Sequence, residues 1–178
     1  MEKERIQKVL ARCGLASRRE IERWIEQGRI TVNGKNAHLG QSIGVGDKVI
    51  VDGKPVKKLY EDEPLRIILY NKPEGEIVTR NDPEGRPTVF ERLPRLDNGR
   101  WVNVGRLDIN TTGLLLFTNS GDCAHRLMHP SLHLQREYAV RVYGDVTPEM
   151  TKKLVNGVQL EDGWARFEDV VAAEEGRS

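Results

Sequence analysis

The chain has only two cysteines in 178 residues, Cys13 and Cys123. That is too few for a disulfide framework, so stability has to come from packing, with both thiols read as small reduced hydrophobes. Aromatic residues are scarce, at 6%, and no apolar stretch approaches the roughly 18 residues of a membrane-crossing helix. The opening MEKERIQKVL is charged and lacks an apolar signal-peptide core, so a cytoplasmic protein with no membrane attachment is expected. Neither Gly-x-x-x-x-Gly-Lys-Ser/Thr nor Gly-x-Gly-x-x-Gly occurs, which leaves a nucleotide cofactor without a motif. His125 and His129 are spaced i, i+4 beside Cys123 and His133, but Pro130 breaks the register and no Cys-x-x-Cys or Glu-x-x-His accompanies them. No metal is expected.

What is present is a folded composition, 38% apolar and 31% charged. The net charge of +1 conceals an asymmetry: residues 1–60 carry thirteen Lys and Arg against seven Asp and Glu, a net +6, which leaves −5 for the remainder. A basic module of this size suits salt-sensitive phosphate contacts, although most charge runs end as solvated faces. Ile6, Val9 and Leu10 place one apolar stripe on a helix over Arg5–Arg12, ended by Gly14. Ser17-Arg18-Arg19-Glu20 is a capping box for a second helix, with Ile21, Trp24 and Ile25 inward and Gly28 closing it. Asn33-Gly34 and Asp52-Gly53 then mark two hairpin turns between short strands. Arg18 and Arg19 sit in the first turn of the second helix, where cations oppose the helix dipole by about 0.3–1 kcal/mol when exposed. A bound anion would offset that cost.

Leu59–Glu63 reads as a short acidic linker ahead of Pro64, dividing the chain into residues 1–60 and 64–178. Beyond it the pattern predicts strands over 66–70, 76–80 and 100–103, a loop over 81–87 and one helical turn over 88–92. A buried strand over 114–118 follows, then a helix from Ser120 to Met128 that stops before Pro130. Leu134–Tyr143 alternates as a long strand. Thr147-Pro148-Glu149 opens a helix running to about Val155, and strands over 158–161 and 164–172 flank Asp162-Gly163. The whole is an α+β chain: a small basic helix-helix-strand module, then a mixed, mainly antiparallel sheet domain.

Gly105–Thr118, GRLDINTTGLLLFT, is the most informative stretch. A short continuous apolar run suits a strand buried on both faces, so Asp108 stands at the rim of a core, next to Arg106 and a glycine-bearing turn. A carboxylate kept ionised by a nearby cation and placed by a stiff element suits nucleophilic or base catalysis. The same residues also suit a plain Asx turn with Asn110 and Thr111. Tyr138, taken alone, is a strand aromatic packing into a sheet, although Arg136 and Arg141 beside it tilt it toward a nucleic-acid surface.

Gly105-Arg106-Leu107-Asp108 with Thr111-Thr112-Gly113-Leu114-Leu115 and Thr118-Asn119 resembles the catalytic motif of the RNA pseudouridine synthases, in the subgroup that acts on ribosomal RNA. Asn71-Lys72-Pro73-Glu74-Gly75 is similar to that family's Lys-Pro-x-Gly turn, and Arg136-Glu137-Tyr138 falls where the family carries its active-site tyrosine. Arg80–Pro94 resembles the branch acting on the large ribosomal subunit. Ala16–Glu20 and Gly28–Gly34 resemble a small RNA-binding domain shared with a small-subunit ribosomal protein. The resemblance implies isomerisation of uridine to pseudouridine in ribosomal RNA, with Asp108 as nucleophile or base on a flipped-out uridine. It implies that Tyr138 stacks on the base, that Arg106 fills the vacated stack or lies near Asp108 as a cation, and that no cofactor is needed. Lys8, Arg12, Arg18, Arg19 and Arg29 would face RNA, and a monomer is expected. Two other readings stay open: a catalytically silent RNA-binding or ribosome-assembly factor, and a glycoside hydrolase, which would need a second carboxylate at a set distance from Asp108. Family members carry a further C-terminal strand and a basic Gly-Arg-Asn-Arg type segment. The sequence stops at Glu175-Gly176-Arg177-Ser178 without them, so the resemblance implies a C-terminally incomplete catalytic domain.

Overall fold

The computed structural model describes residues 3–57, 59–60 and 63–172, and Glu175–Ser178 lie outside them. The chain forms two compact units, residues 1–134 and 135–178. The elements are α-helices and short strands, an α+β architecture in which every ladder between named strands is antiparallel.

The first unit begins with β1 (Glu4–Arg5), α1 (Ile6–Arg12) and α2 (Arg18–Glu26). The Ser17 side chain accepts from the Glu20 N–H at 3.2 Å, so α2 starts where expected. The Glu20 carboxylate accepts from Trp24 and Arg23 and not from the Ser17 N–H, so the reciprocal half of the capping box does not form. Next come β2 (Ile30–Val32), β3 (Lys35–Asn36), β4 (Ser42–Ile43), β5 (Val49–Val51) and β6 (Lys54–Pro55), with β3-β2-β5-β6 as one sheet. Asn33 and Gly34 turn with φ of 51° and 81°, and Asp52 and Gly53 with 47° and 75°. Two consecutive positive φ values match the twist of a tight hairpin, which is why Asn-Gly and Asp-Gly stand there. The apolar stripes of both helices close on the sheet to bury Ile6, Val9, Leu10, Ile21, Ile25, Ile30 and Val49.

The same unit continues with β7 (Ile67–Lys72), a 3-10 turn (Val89–Arg92), β8 (Val102–Val104), β9 (Gly113–Thr118) and α3 (Gly121–Met128). The sheet order is β7-β9-β8. Its inner face buries Leu115 and Phe117 against Val89 and Trp101, with Ile68 and Tyr70 packed at the edge of that core. The expected return strand over 76–80 does not form. β7 takes β9 as its partner along its whole length, and the 76–80 segment keeps one isolated parallel bridge, Ile77 to Thr88. The run 114–118 is also not buried on both faces. Leu114 is 64% exposed and Leu69 73%, because the face carrying Leu115 and Phe117 meets the core while the other face is covered only toward Thr118, which is 0% exposed. An apolar run reports hydrophobicity but not which face is covered.

The second unit holds α4 (Pro148–Asn156), β10 (Val158–Leu160) and β11 (Gly163–Ala165). Thr147 caps α4 as expected, accepting from the Met150 N–H at 3.3 Å. The hairpin turn is Glu161-Asp162, since Leu160 pairs with Gly163, so Gly163 opens the strand and β11 ends at Ala165 rather than Ala172. The long strand expected over Leu134–Tyr143 is absent. Alternation fixes which side chains share a face, but a strand needs a ladder partner, and among the described residues none pairs with this segment.

Candidate functional site

β8 and β9 are adjacent antiparallel strands, so the Gly105–Thr112 connection loops out at one end of the sheet. Leu107 points into the sheet core and anchors the loop. One residue later Asp108 is exposed, as is Arg106. The turn closes through the backbone: the Asp108 carbonyl accepts from the Thr111 N–H at 3.0 Å. The Asp108 carboxylate therefore does not make the turn. Among the described residues it has neither a hydrogen bond nor an ion pair, and Arg106 is not within ion-pair distance of it.

The residue that holds this loop was read in the sequence only as part of a turn. Lys72 ends β7 on the same face as Ile68 and Tyr70, so the two-residue period of the strand drives its stem into the core, where it is 0% exposed. Its Nζ donates to the carbonyls of Thr111 at 2.8 Å, Pro73 at 3.0 Å and Ile109 at 3.3 Å. The Gly75 N–H donates to the Ile109 carbonyl at 2.9 Å. The Lys72–Gly75 turn and the Asp108–Thr112 turn are thus clamped by one buried ammonium, bonded to carbonyl oxygens and, among the described residues, paired with no carboxylate. Three acceptors match the three protons of the group.

A second cluster, around the buried Glu76, braces the same end. The Tyr70 hydroxyl donates to Glu76 at 2.5 Å, and Arg92 Nε lies 2.8 Å from the other carboxylate oxygen. Burial, and then the bond to Glu76, push the Tyr70 hydroxyl up to about 12. Glu76 is 3% exposed and committed to both partners.

Of the cations expected to face RNA, Lys8 is shared between Glu4 at 3.3 Å and Asp122 at 2.9 Å, and its ammonium holds Asp122 below the usual carboxylate range. Arg12 pairs with Glu4 at 2.8 Å. Arg29 grips Asp52 through Nε at 2.8 Å and lies 4.7 Å over the Trp24 ring. Arg18 and Arg19 are exposed and have no carboxylate within ion-pair distance among the described residues. Tyr138 belongs to the second unit, 55% exposed. His125 and His129 have rings 5.1 Å apart on and just after α3, and no group of three His, Cys, Asp or Glu among the described residues could hold a metal.

Residues 66–171 match the family model described as RNA pseudouridylate synthase, and residues 4–49 match the S4 domain. The chain belongs to the RNA pseudouridylate synthase family, with an S4 domain ahead of the family's own domain. It is 60% identical over 171 residues to ribosomal large subunit pseudouridine synthase B of Pseudomonas aeruginosa, covering 96% of this chain and 44% of that protein. The protein of the same name from Vibrio cholerae is 58% identical over 172 residues, covering 96% of this chain and 54% of the relative. The chain thus spans about half the length of the curated relatives it matches. A crystal structure of a pseudouridylate synthase superposes with a TM-score of 0.55 at 26% identity, covering 89% of this chain and 66% of the other. No helix among the described residues is long and apolar enough to cross a membrane.

Proposed function

We propose that the chain isomerises uridine to pseudouridine in large-subunit ribosomal RNA, with Asp108 as its reactive carboxylate. The observation that carries the reading is the uncommitted Asp108 side chain on a turn braced by Lys72, in a chain close to proteins named for that activity. A target base inside a paired helix is out of reach, so the uridine has to be flipped from its stack. Asp108 then acts as nucleophile or base while the bond from ribose carbon-1 to uracil nitrogen-1 breaks. The uracil turns, a bond forms from carbon-5 to the same ribose carbon, the carbon-5 proton leaves, and nitrogen-1, freed from the ribose, takes up a proton. Atoms and charge balance without an oxidant, a reductant or a phosphoryl donor, so the chemistry needs no cofactor.

In this reading residues 1–60 bind RNA and 64–178 form the catalytic domain. Tyr138 stacks on the flipped base, and Arg106 fills the gap it leaves. Arg18 and Arg19, with Lys8, Arg12 and Arg29 behind them, meet the RNA backbone. The chain works as a cytoplasmic monomer with ribosomal RNA as its partner. The test is tritium release from RNA labelled at carbon-5 of uridine. Asp108→Asn should abolish release and leave RNA affinity within a few-fold, because it removes the chemistry but few phosphate contacts. Release by Asp108→Asn near the wild-type rate refutes the assignment of Asp108. Binding without release by the wild type favours a silent RNA-binding factor.

A further inference from the structure

Building on the reading that the chain acts on RNA, we propose that Arg18, Arg100 and Arg80 form one phosphate track, leading an RNA backbone from α2 to the edge of the β7-β9-β8 sheet. Arg80 and Arg100 come from loops that no motif marked as RNA-binding.

The three guanidiniums come from separate elements but are brought near one another by close backbone packing. Arg18 is the first residue of α2, and its Nη2 lies 3.9 Å from where a Cβ on Gly121 would sit, at the start of α3. The backbone after α1 presses on the loop before β8: a Cβ on Gly14 would stand 2.4 Å from the Gly99 carbonyl oxygen, and one on Gly99 3.1 Å from the Arg12 carbonyl oxygen. No side chain fits between them, so Arg100 is carried alongside the helical module. Trp101, the next residue, is anchored by its indole N–H on the Pro94 carbonyl at 2.7 Å. Arg80 donates to the Trp101 carbonyl, with its guanidinium 4.2 Å over the Phe90 ring. A groove of about 230 Å³ runs between Arg80, Phe90, Arg100 and Trp101.

These three cations lack the carboxylate partners that several other cations have. Lys8, Arg12, Arg23, Arg29, Arg86 and Arg92 each have one within ion-pair distance. Among the described residues Arg18, Arg80 and Arg100 have none, and Asp122, which feels Arg18, is already held by Lys8 at 2.9 Å. The arginines also act on one another. Burial and then Arg18 push Arg100 below its usual value, and burial and then Arg100 do the same to Arg80. Arginine keeps its proton regardless, so the free protein carries a repulsion that an arriving polyanion removes. A single small anion would satisfy one fork. Three neighbouring forks on separate elements match a repeating phosphate chain.

The test titrates a fluorescein-labelled RNA hairpin with the full 178-residue chain over a salt series. Each phosphate contact contributes about 0.7–0.9 to the slope of log affinity against log salt. Arg100→Gln should lower the slope by about that amount, and Arg80→Gln with Arg100→Gln by about twice it. Arg100→Lys should keep the slope. The Arg100 side chain makes no hydrogen bond among the described residues, so Arg100→Gln leaves the fold intact. Lys152→Gln, an exposed charge removed from α4, should leave the slope unchanged. If the wild type binds the hairpin and releases tritium while the arginine variants keep its slope, the track is overturned and the functional reading stands. Arg100-dependent binding of polyglutamate with an unchanged RNA slope overturns it in favour of an acidic protein partner. A wild type that does not bind the hairpin overturns both.

Discussion

Lys72→Met separates positioning from chemistry. Met keeps most of the buried apolar stem and deletes the ammonium that joins the Lys72–Gly75 and Asp108–Thr112 turns. The Ile109 carbonyl retains the Gly75 N–H at 2.9 Å, but the Pro73 and Thr111 carbonyls lose the lysine. An orphaned buried acceptor costs about 1–3 kcal/mol, and here both are half-buried and the lost ammonium no longer has to be desolvated, so the net is about 1–3 kcal/mol. For a chain of this size that lowers Tm by roughly 2 to 12 °C. The effect on rate should be the larger one. Asp108 does not touch Lys72, but a turn free to shift by an ångström costs about 100-fold. Single-turnover tritium release should therefore show kcat down by about 100-fold while hairpin affinity holds within a few-fold. Wild-type turnover and Tm in Lys72→Met would refute the clamp. A fall in affinity that matches the fall in rate would make Lys72 a binding residue instead.

Two other outcomes test the frame around the site. The Tyr70 hydroxyl, raised from 10.0 to about 12, binds its proton more tightly in the folded chain, so its stabilisation is complete below pH 10 and is lost as pH rises toward 12. Alkaline unfolding followed by circular dichroism should be shallower across that window in Tyr70→Phe, and an unchanged pH profile would mean the bond to Glu76 contributes nothing. Gly14→Ala, at φ +82° with a Cβ site 2.4 Å from the Gly99 carbonyl oxygen, should destabilise the chain clearly more than Gly34→Ala, at φ +81° in open space. Equal losses in thermal denaturation would show that strain at positive φ, and not the contact between the two backbones, sets the cost.

How much of this was legible in the sequence depends on whether the signal was local. The Ser17 N-cap, Asn33-Gly34, Asp52-Gly53 and Thr147-Pro148 each state their own geometry within four residues and form where read, although the Glu20 half of the expected capping box goes to Trp24 and Arg23 instead. The strands expected at 76–80 and 134–143 failed because pairing is not local. β7 found β9 across forty intervening residues, and alternation in Leu134–Tyr143 says nothing about what lies alongside. The turn at 162 slipped by one residue for a related reason: Asp-Gly is a strong hairpin cue, but Gly157 faces the Trp164 ring, where a Cβ would stand 2.5 Å from it. That close approach accompanies a register in which Gly163 pairs with Leu160.

The candidate site shows the same division. Asp108 was legible because its neighbours spell a turn running into an apolar strand. The choice between an Asx turn and a reactive carboxylate was not, since both use the same residues. The structure closes the turn with the Asp108 carbonyl and so leaves the carboxylate free for other work. Lys72 could have been found from parity alone: with Ile68 and Tyr70 inward, position 72 must also face inward. A lysine there has to find acceptors or lose its charge. The carbonyls of Pro73, Ile109 and Thr111 are those acceptors, and the need to satisfy one buried ammonium couples the Lys-Pro turn to the Asp108 turn. Two short motifs thirty-six residues apart, Lys72 and Asp108, are thus one physical device, in which the first holds still what the second presents.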